Sequence, residues 1–278
     1  MSKLRLDRAV SVYLFYPLSK KLPGRTGPRI PILMYHGIRE GASNGHAYYE
    51  TNTSPRIFAQ HMIYLRENGY RSVSLDEGVR ALELGEAHSK LVVLTFDDGF
   101  RDFYTSAFPV LQENALTATV FLVAGLTGED HASFNERELL TWREARELSA
   151  HGIQFGSHTL SHPPLKELSE AQLDEEVGRS KNAIEYQLGN QVTSFSYPYA
   201  FPETDKSFVG IFRETLKRYG YKNGVSTVIG TARSRHDRFF LPRLPVNSWD
   251  DLPLFRAKLE GGYDWLHGPQ KFYKTLFK

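Results

Sequence analysis

The chain of 278 residues contains no cysteine. That excludes disulfides, thiolate metal sites and cysteine nucleophiles. It leaves the compartment open, because a cysteine-free protein is comfortable on either side of a membrane. A charge bias is also missing. With 34 Lys and Arg against 32 Asp and Glu, the net charge of +2 is too small to argue for a nucleic acid or an acidic partner. The apolar run at 9–18 is far too short to span a bilayer. It follows Lys3, Arg5 and Arg8, yet Asp7 breaks the basic region, Pro17 breaks the run, and no small-residue cleavage site follows. A short amphipathic helix, lying on a membrane or on the protein body, suits 1–29 better. Internal repeats and low-complexity linkers are absent as well. What is present is globular material, 41% hydrophobic and 24% charged, enough for a large core without staples.

Strand and helix signals alternate along the chain. Apolar and β-branched runs predict strands at 30–36, 71–75, 91–96, 117–124, 153–157, 192–197 and 224–229. Ser54-Pro55 reads as an N-cap followed by a proline at the first helical position, and Phe58, Met62 and Leu65 make the stripe of that helix. Asp76 is placed to cap a helix through Leu84. A helix over 103–114 is disturbed by Pro109. Another over 139–150 turns Trp142, Ala145 and Leu148 inward. Ser169 and Gln172 form a capping-box pattern ahead of a face made by Leu173, Val177, Ile184 and Leu188, and 205–219 is a further helix. Repeated strand–helix units argue for parallel strands with helices outside. About seven units in one uninterrupted chain favour an α/β barrel over an open sheet. The barrel is expected over 30–250, between an N-terminal arm, 1–29, and a C-terminal extension, 251–278, packed on the barrel or on a partner.

In such a barrel the active site lies at the C-terminal ends of the strands. The unusual polar residues fall there. Leu91-Val92-Val93-Leu94-Thr95-Phe96-Asp97-Asp98-Gly99 is a buried strand running into two carboxylates. Two acids in that position are costly unless something pairs with them, and a metal ion is the natural partner. His158 and His162 follow another strand, four residues apart, so on a turn of helix or a tight loop they face the same way. Tyr197-Pro198-Tyr199 ends a third strand. Two imidazoles and one carboxylate, with water completing the sphere, form a catalytic zinc arrangement, and the same set suits other divalent transition metals. Adjacent strand residues point to opposite sides, so Asp97 and Asp98 should divide their work. One reaches the metal. The other faces the water that the ion carries and takes its proton as general base.

These residues resemble the successive motifs of the polysaccharide deacetylases, the NodB-homology carbohydrate esterases. Thr95-Phe96-Asp97-Asp98-Gly99, the segment from His158 to His162 and Tyr197-Pro198-Tyr199 carry the likeness, which runs over about 31–246. The resemblance implies a distorted (β/α) barrel of about seven parallel strands. It implies removal of N- or O-acetyl groups from sugars with a divalent metal, zinc foremost, with cobalt, nickel or manganese as alternatives. It makes Asp97 the catalytic base and Asp98, His158 and His162 the metal ligands. The backbone N–H of Tyr199 then holds the oxyanion of the tetrahedral intermediate. Two positions depart from the pattern. The third motif usually begins with an arginine that orients the base and ends with glycine, where this chain has Ser196 and Ala200. Arg243, in Leu241-Pro242-Arg243-Leu244-Pro245-Val246 after a late strand, is the candidate replacement. Many members also take their general acid from a Leu-x-His near the C-terminus, for which the nearest match is Trp265-Leu266-His267. A subgroup resembling the bacterial poly-N-acetylglucosamine deacetylases opens instead with a strand like Ile32-Leu33-Met34-Tyr35-His36-Gly37, which makes His36 the candidate acid.

The expected activity is a metal-dependent hydrolase that removes acetyl groups from N-acetylated amino sugars in a polysaccharide or its precursor. Its partner is an acetylated glycan, with no nucleic acid. Two other readings compete. One is a hydrolase of another non-peptide C–N amide. The other is a carbohydrate-binding pseudoenzyme, which the missing motif arginine favours. The loop 44–53, with His46, Tyr48 and Tyr49, offers aromatic faces for sugars. The stretch 263–278 interleaves Trp265, Phe272, Tyr273 and Phe277 with Lys271, Lys274 and Lys278, a pattern for packing on the barrel or for peripheral membrane contact through the termini. With no convincing export signal, cytoplasmic action at the inner membrane surface is expected, and an extracytoplasmic site stays open.

Overall fold

In the computed structural model, residues 5–21, 27–41, 50–86 and 90–276 are described. The seven expected apolar runs, with one further segment, become eight parallel strands: β1 Ile32–Tyr35, β2 Arg71–Val73, β3 Leu91–Phe96, β4 Thr119–Leu122, β5 Gln154–Ser157, β6 Ser194–Ser196, β7 Asn223–Ile229 and β8 Leu241–Pro245. Seven of them close a barrel in the order β1-β8-β7-β6-β5-β4-β3, sealed by β1 pairing with β3 from Ile32↔Val93 to Tyr35↔Phe96. β2 is the eighth. It pairs with the lower half of β3, Arg71↔Leu91 to Val73↔Val93, while β4 takes the upper end, Thr95↔Thr119 and Phe96↔Val120. β3 and β4 therefore splay at the bottom and β2 wedges into the gap, which is the distortion of the barrel. One expectation is corrected here. The segment 241–245 is itself a barrel strand, so Arg243 lies on a strand and not after one.

Side chains on a strand alternate in direction, and the alternation separates two apolar clusters. Leu33, Tyr35, Leu94, Phe96, Val120, Leu122, Phe195 and Leu244 belong to the larger one, between barrel and helices. Ile32, Val93, Phe121, Val225 and Leu241 form a smaller one inside the barrel, with Val79 and Leu82 from the helix Leu75–Glu83. That helix plugs the bottom. Gly78 lies so close to the barrel floor that a Cβ would sit 2.7 Å from Val93. Its N-cap is Ser74, paired reciprocally with Glu77, and not Asp76. Asp76 instead accepts hydrogen bonds from Thr193, Ser194 and Asn223. These bonds tie the plug to the starts of β6 and β7. Climbing each inward row, the interior turns from apolar to polar: Val93, Thr95, Asp97 from β3, and Leu241, Arg243 from β8.

The helices follow the caps. Ser54 caps Pro55–Glu67, Ser169 and Gln172 form the capping box of Glu170–Leu188, and Asp205 caps Lys206–Arg218. The helix expected over 139–150 starts only at Trp142, because Thr141 and Glu144 form a capping box there. Leu139 and Leu140 remain extended, and the Leu140 N–H donates to the Gly99 carbonyl. Near the termini, helical turns from Leu6 to Lys21 pack on the C-terminal region. Phe15 stacks on Trp265 at 5.2 Å, Trp265 Nε1 donates to Ser11 Oγ, and Arg5 pairs with Asp250. No helix among the described residues is long and apolar enough to cross a membrane.

His61, on the inner face of the helix Pro55–Glu67, is buried. Its ring stacks on Phe255 at 3.9 Å, with Nε2 2.7 Å from the Asp250 carbonyl and Nδ1 3.3 Å from the Tyr35 hydroxyl. Burial pushes its pKa down to about 4. An unfolded histidine takes a proton near 6.5, whereas the folded one stays neutral until about pH 4. Its contribution to stability is therefore complete above about pH 6.5 and lost as pH falls through 4, on the order of 3 kcal/mol in all. Denaturant midpoints should drop between pH 7.5 and 4.5. The drop should be smaller in His61→Gln.

Candidate active site and metal centre

The inward row at the top of the barrel carries the chemistry. His36, Asp97, His158 and Ser196 occupy inward positions at or just past the ends of β1, β3, β5 and β6, and Arg243 an inward position in the middle of β8. They surround the base of a cavity of 1140 Å³, which His36, Asp97, Asp98, His158, His162 and Tyr199 line.

Asp97 is almost fully buried, and Arg243 grips both of its oxygens. Nη1 donates to Oδ1 at 2.8 Å and Nη2 to Oδ2 at 2.7 Å. The other three N–H groups of Arg243 are also used: Nε on the Ser226 carbonyl at 3.0 Å, Nη1 on Thr95 Oγ1 at 3.2 Å and Nη2 on Ser196 Oγ at 3.1 Å. Thr95 passes its own proton to the Leu33 carbonyl, and Ser196 passes its proton to Asp97 Oδ1. All five donors of a buried guanidinium are thus matched to acceptors. Ser196, the residue found where the motif arginine was expected, is small enough to admit this guanidinium from β8. Burial pushes the Asp97 carboxyl upward, but Arg243 and the nearby histidines outweigh it and hold Asp97 well below the usual carboxylate range.

Asp98 is turned away from Asp97 by a route that strand alternation does not give. Both aspartates lie past the end of β3. Asp98 is left-handed at φ 71°, followed by Gly99 at φ 68°. This turns the Asp98 carboxylate toward the loop after β5, where Oδ1 is 3.4 Å from both His158 Nε2 and His162 Nε2. Among the described residues, Asp98, His158 and His162 form a group whose donor atoms all lie within 4.8 Å of one another. Thr159 at φ 73°, His162 at 60° and Tyr199 at 57° are left-handed too, so non-glycine strain gathers at this site.

The donor set fits a divalent transition metal. His158 Nδ1 lies 2.8 Å from the Ser196 carbonyl, so it donates there and leaves the Nε2 lone pair facing Asp98. Burial and the neighbouring His158 push His162 down to about 4, which keeps its imidazole neutral near pH 7. His158 itself is raised, because Asp97 and Asp98 outweigh the effect of its burial. The loop that carries the two histidines has an anchor with no signal in the sequence. Glu176, on the helix Glu170–Leu188, accepts from the Leu160 and Ser161 N–H groups at 2.9 Å each and from Ser161 Oγ at 2.6 Å.

The two candidate acids part company. His36 Nε2 lies 4.0 Å from Asp97 Oδ2, and its ring lines the cavity. Burial lowers its pKa, and Asp98 and Asp97 pull it back up. His267 is turned to Glu203, with Nε2 2.9 Å from Oε2. Tyr199, half exposed, stacks edge-on against His162 at 4.6 Å, and its carbonyl accepts from Thr227 Oγ1. His46, Tyr48 and Tyr49 lie outside the described residues, as does Phe277. Two walls of the cavity were not foreseen. One is the hairpin of Ser133–Phe134 and Arg137–Glu138, whose Phe134 packs on His162 at 5.1 Å. The other is the C-terminal helix His267–Leu276.

Comparison with known proteins gives a consistent set of relatives. The profile of the family described as Polysaccharide deacetylase matches residues 85–224. YxkH of Bacillus subtilis strain 168, whose name places it among the polysaccharide deacetylases, is 32% identical over 237 residues, covering 84% of this chain and 76% of its own. A Staphylococcus aureus poly-beta-1,6-N-acetyl-D-glucosamine N-deacetylase is 22% identical over 233 residues, covering 77% of this chain and 78% of its own. Among solved structures, the Streptococcus pyogenes deacetylase PplD, in complex with acetate, superposes with a TM-score of 0.73 at 28% identity. The match covers 84% of this chain and 99% of that one.

Proposed function

Because the chain belongs to the polysaccharide deacetylase family, we propose that it hydrolyses the N-acetyl groups of amino sugars in a polysaccharide or its precursor, with a divalent transition metal held by Asp98, His158 and His162. The observation that carries this reading is the Asp97 carboxylate, gripped through both oxygens by Arg243 at the base of the cavity beside three converging metal-donor atoms.

In this reading the amide carbonyl of the N-acetyl group sits over the three donors. A metal bound there, zinc foremost, supplies Lewis acidity toward the attacking water and the amide carbonyl. Asp97 accepts the proton of the water as its oxygen bonds to the carbonyl carbon. The Tyr199 backbone N–H stabilises the resulting oxyanion. The C–N bond then breaks, His36 gives its proton to the departing amine, and acetate and a free amino sugar leave. Arg243 does not touch the substrate. It fixes the direction of Asp97 and keeps it charged.

The pseudoenzyme reading rested on the missing arginine at 196, and a guanidinium bonded to both Asp97 oxygens removes that support. The name of the S. aureus relative makes β-1,6-linked N-acetylglucosamine oligomers the first substrates to try. Elemental analysis should find about one transition metal per chain, the number that one three-donor site holds. The loaded protein should release acetate from such oligomers. Metal uptake without acetate from any acetylated glycan, but with hydrolysis of small acetylated amides, would move the activity to another C–N bond. Glu176→Ala should loosen the histidine loop and weaken zinc binding by about 10- to 100-fold, the usual cost of losing an outer support. Competition with a chromogenic chelator reads this directly.

A further inference from the structure

A glycine follows the candidate acid His36, and its neighbours explain it. A Cβ on Gly37 would sit 1.8 Å from Arg137 Nη2 and 2.8 Å from Asn52 Oδ1. The guanidinium of Arg137, on the hairpin that walls the cavity, therefore lies directly against the backbone that carries His36. It is held there on two sides. Nη2 donates to Asp102 Oδ2 at 2.7 Å, and Cζ lies 3.3 Å from the centre of the Phe100 ring. The other Asp102 oxygen, Oδ1, accepts from the Ile38 N–H at 3.0 Å. Asp102 stands on the segment that follows Asp97 and Asp98, and the side chains of this pair are mostly buried. One carboxylate thus joins the hairpin to the chain just past His36.

On the other side of His36, the Tyr35 carbonyl accepts from the Asp97 N–H at 3.0 Å. His36 Nε2 stands 4.0 Å from Asp97 Oδ2, beyond hydrogen-bond distance, so the ring depends on the backbone at either side for its place. The hairpin also packs Phe134 on His162, and it touches both the acid side and the metal side of the site. Proton transfer needs heavy atoms within about 3 Å, and an error of about 1 Å costs up to about 100-fold. We propose that Arg137 and Asp102 are positioning residues that clamp the backbone of His36 and set where its imidazole stands toward the reacting amide. The proposal rests on the reading of His36 as the acid of a deacetylase, and its test separates the two.

The test joins NMR of the histidine rings to acetate release, both on the zinc-loaded chain. The His36 ring signals are identified by their loss in His36→Gln. In Asp102→Asn and Arg137→Leu they should broaden or split, while those of His61, buried on the helix Pro55–Glu67, keep their shape. With β-1,6-linked N-acetylglucosamine oligomers, kcat should fall about 10- to 100-fold in both variants while KM holds. Zinc affinity, read by chelator competition, should hold as well. Because the clamp acts through His36, adding Arg137→Leu to His36→Gln should cost at most about twofold more. Arg137→Lys keeps the charge without the planar fork and should recover part of the loss. Asp102→Asn changes almost no volume and carries the test if Arg137→Leu folds poorly. Undisturbed His36 signals in both variants, or losses that multiply with that of His36→Gln, overturn the clamp. So does a rise in KM at constant kcat, which makes Arg137 a substrate contact. Disturbed His36 signals with undiminished turnover in His36→Gln uphold the clamp and overturn His36 as the acid. Disturbed signals without acetate from the wild type uphold the clamp and overturn the deacetylase reading.

Discussion

Replacing Arg243 by leucine is expected to remove nearly all turnover and a large part of the stability of the barrel. The guanidinium is completely enclosed and satisfies five acceptors, two of them the oxygens of Asp97. Leucine fills part of the volume and leaves the Asp97 carboxylate buried with Ser196 as its remaining side-chain donor. Removing one partner of a buried ion pair costs about 3–5 kcal/mol. Burial already pushes Asp97 toward its protonated form, and Arg243 is the strongest force against it. Without Arg243 the carboxyl moves upward and loses its fixed direction, so kcat should fall by about 10²- to 10⁴-fold. Lysine keeps the charge but has no planar fork, so Arg243→Lys should recover stability better than activity. The positional idea has its own check. In Ser196→Arg with Arg243→Ser, a guanidinium reaches Asp97 from β6, and activity should exceed that of Arg243→Ser alone. Turnover of Arg243→Leu within about threefold of wild type, well short of the loss of a general base, would falsify the orienting role.

Much of this site was readable because inward positions repeat every second residue. His36, Asp97, His158 and Ser196 sit one step past apolar or small inward residues on strands that the pattern places correctly. β8 escaped recognition for a physical reason. Pro242 and Pro245 weaken any strand signal, and Pro242 has no N–H for a ladder bond. The chain absorbs it where pairing with β7 is irregular, between Val225 and Ile229. Strand alternation was expected to set the two aspartates apart, but alternation is not what separates their carboxylates in the structure. The separation comes from the left-handed turn at Asp98, a conformation that no spacing rule announces. Asp76 was misread because a serine two residues earlier has a better capping geometry, which left the carboxylate for the barrel floor. Glu176 and the place of the C-terminal helix in the cavity wall depend on contacts between segments far apart in the chain; the aromatic pattern of 263–278 suggested packing on the barrel but not where, and nothing local marked Glu176.

Asp97→Asn separates the two carboxylates most sharply. The substitution changes almost no volume, so the cavity keeps its shape. It removes the charge and replaces one acceptor oxygen by an amide that faces an Arg243 N–H, a donor against a donor. A moderate loss of stability is expected, smaller than for Arg243→Leu. The amide cannot take a proton from water, so kcat should drop by about 10²- to 10⁴-fold, the share of a general base. Zinc content should stay near that of the wild type, because Asp98, His158 and His162 supply the converging donors without Asp97. Asp98→Asn should do the reverse at the level of the ion, lowering zinc affinity first and turnover as a consequence, with activity partly restored by excess zinc. Zinc supplementation should do nothing for Asp97→Asn. Were supplementation to rescue Asp97→Asn and fail with Asp98→Asn, the roles would be exchanged, and the bidentate grip of Arg243 would belong to the ligand side of the site. Equal glycan affinity in the wild type and Asp97→Asn, with acetate from neither, would return the chain to a binding protein that has kept the architecture of a catalyst.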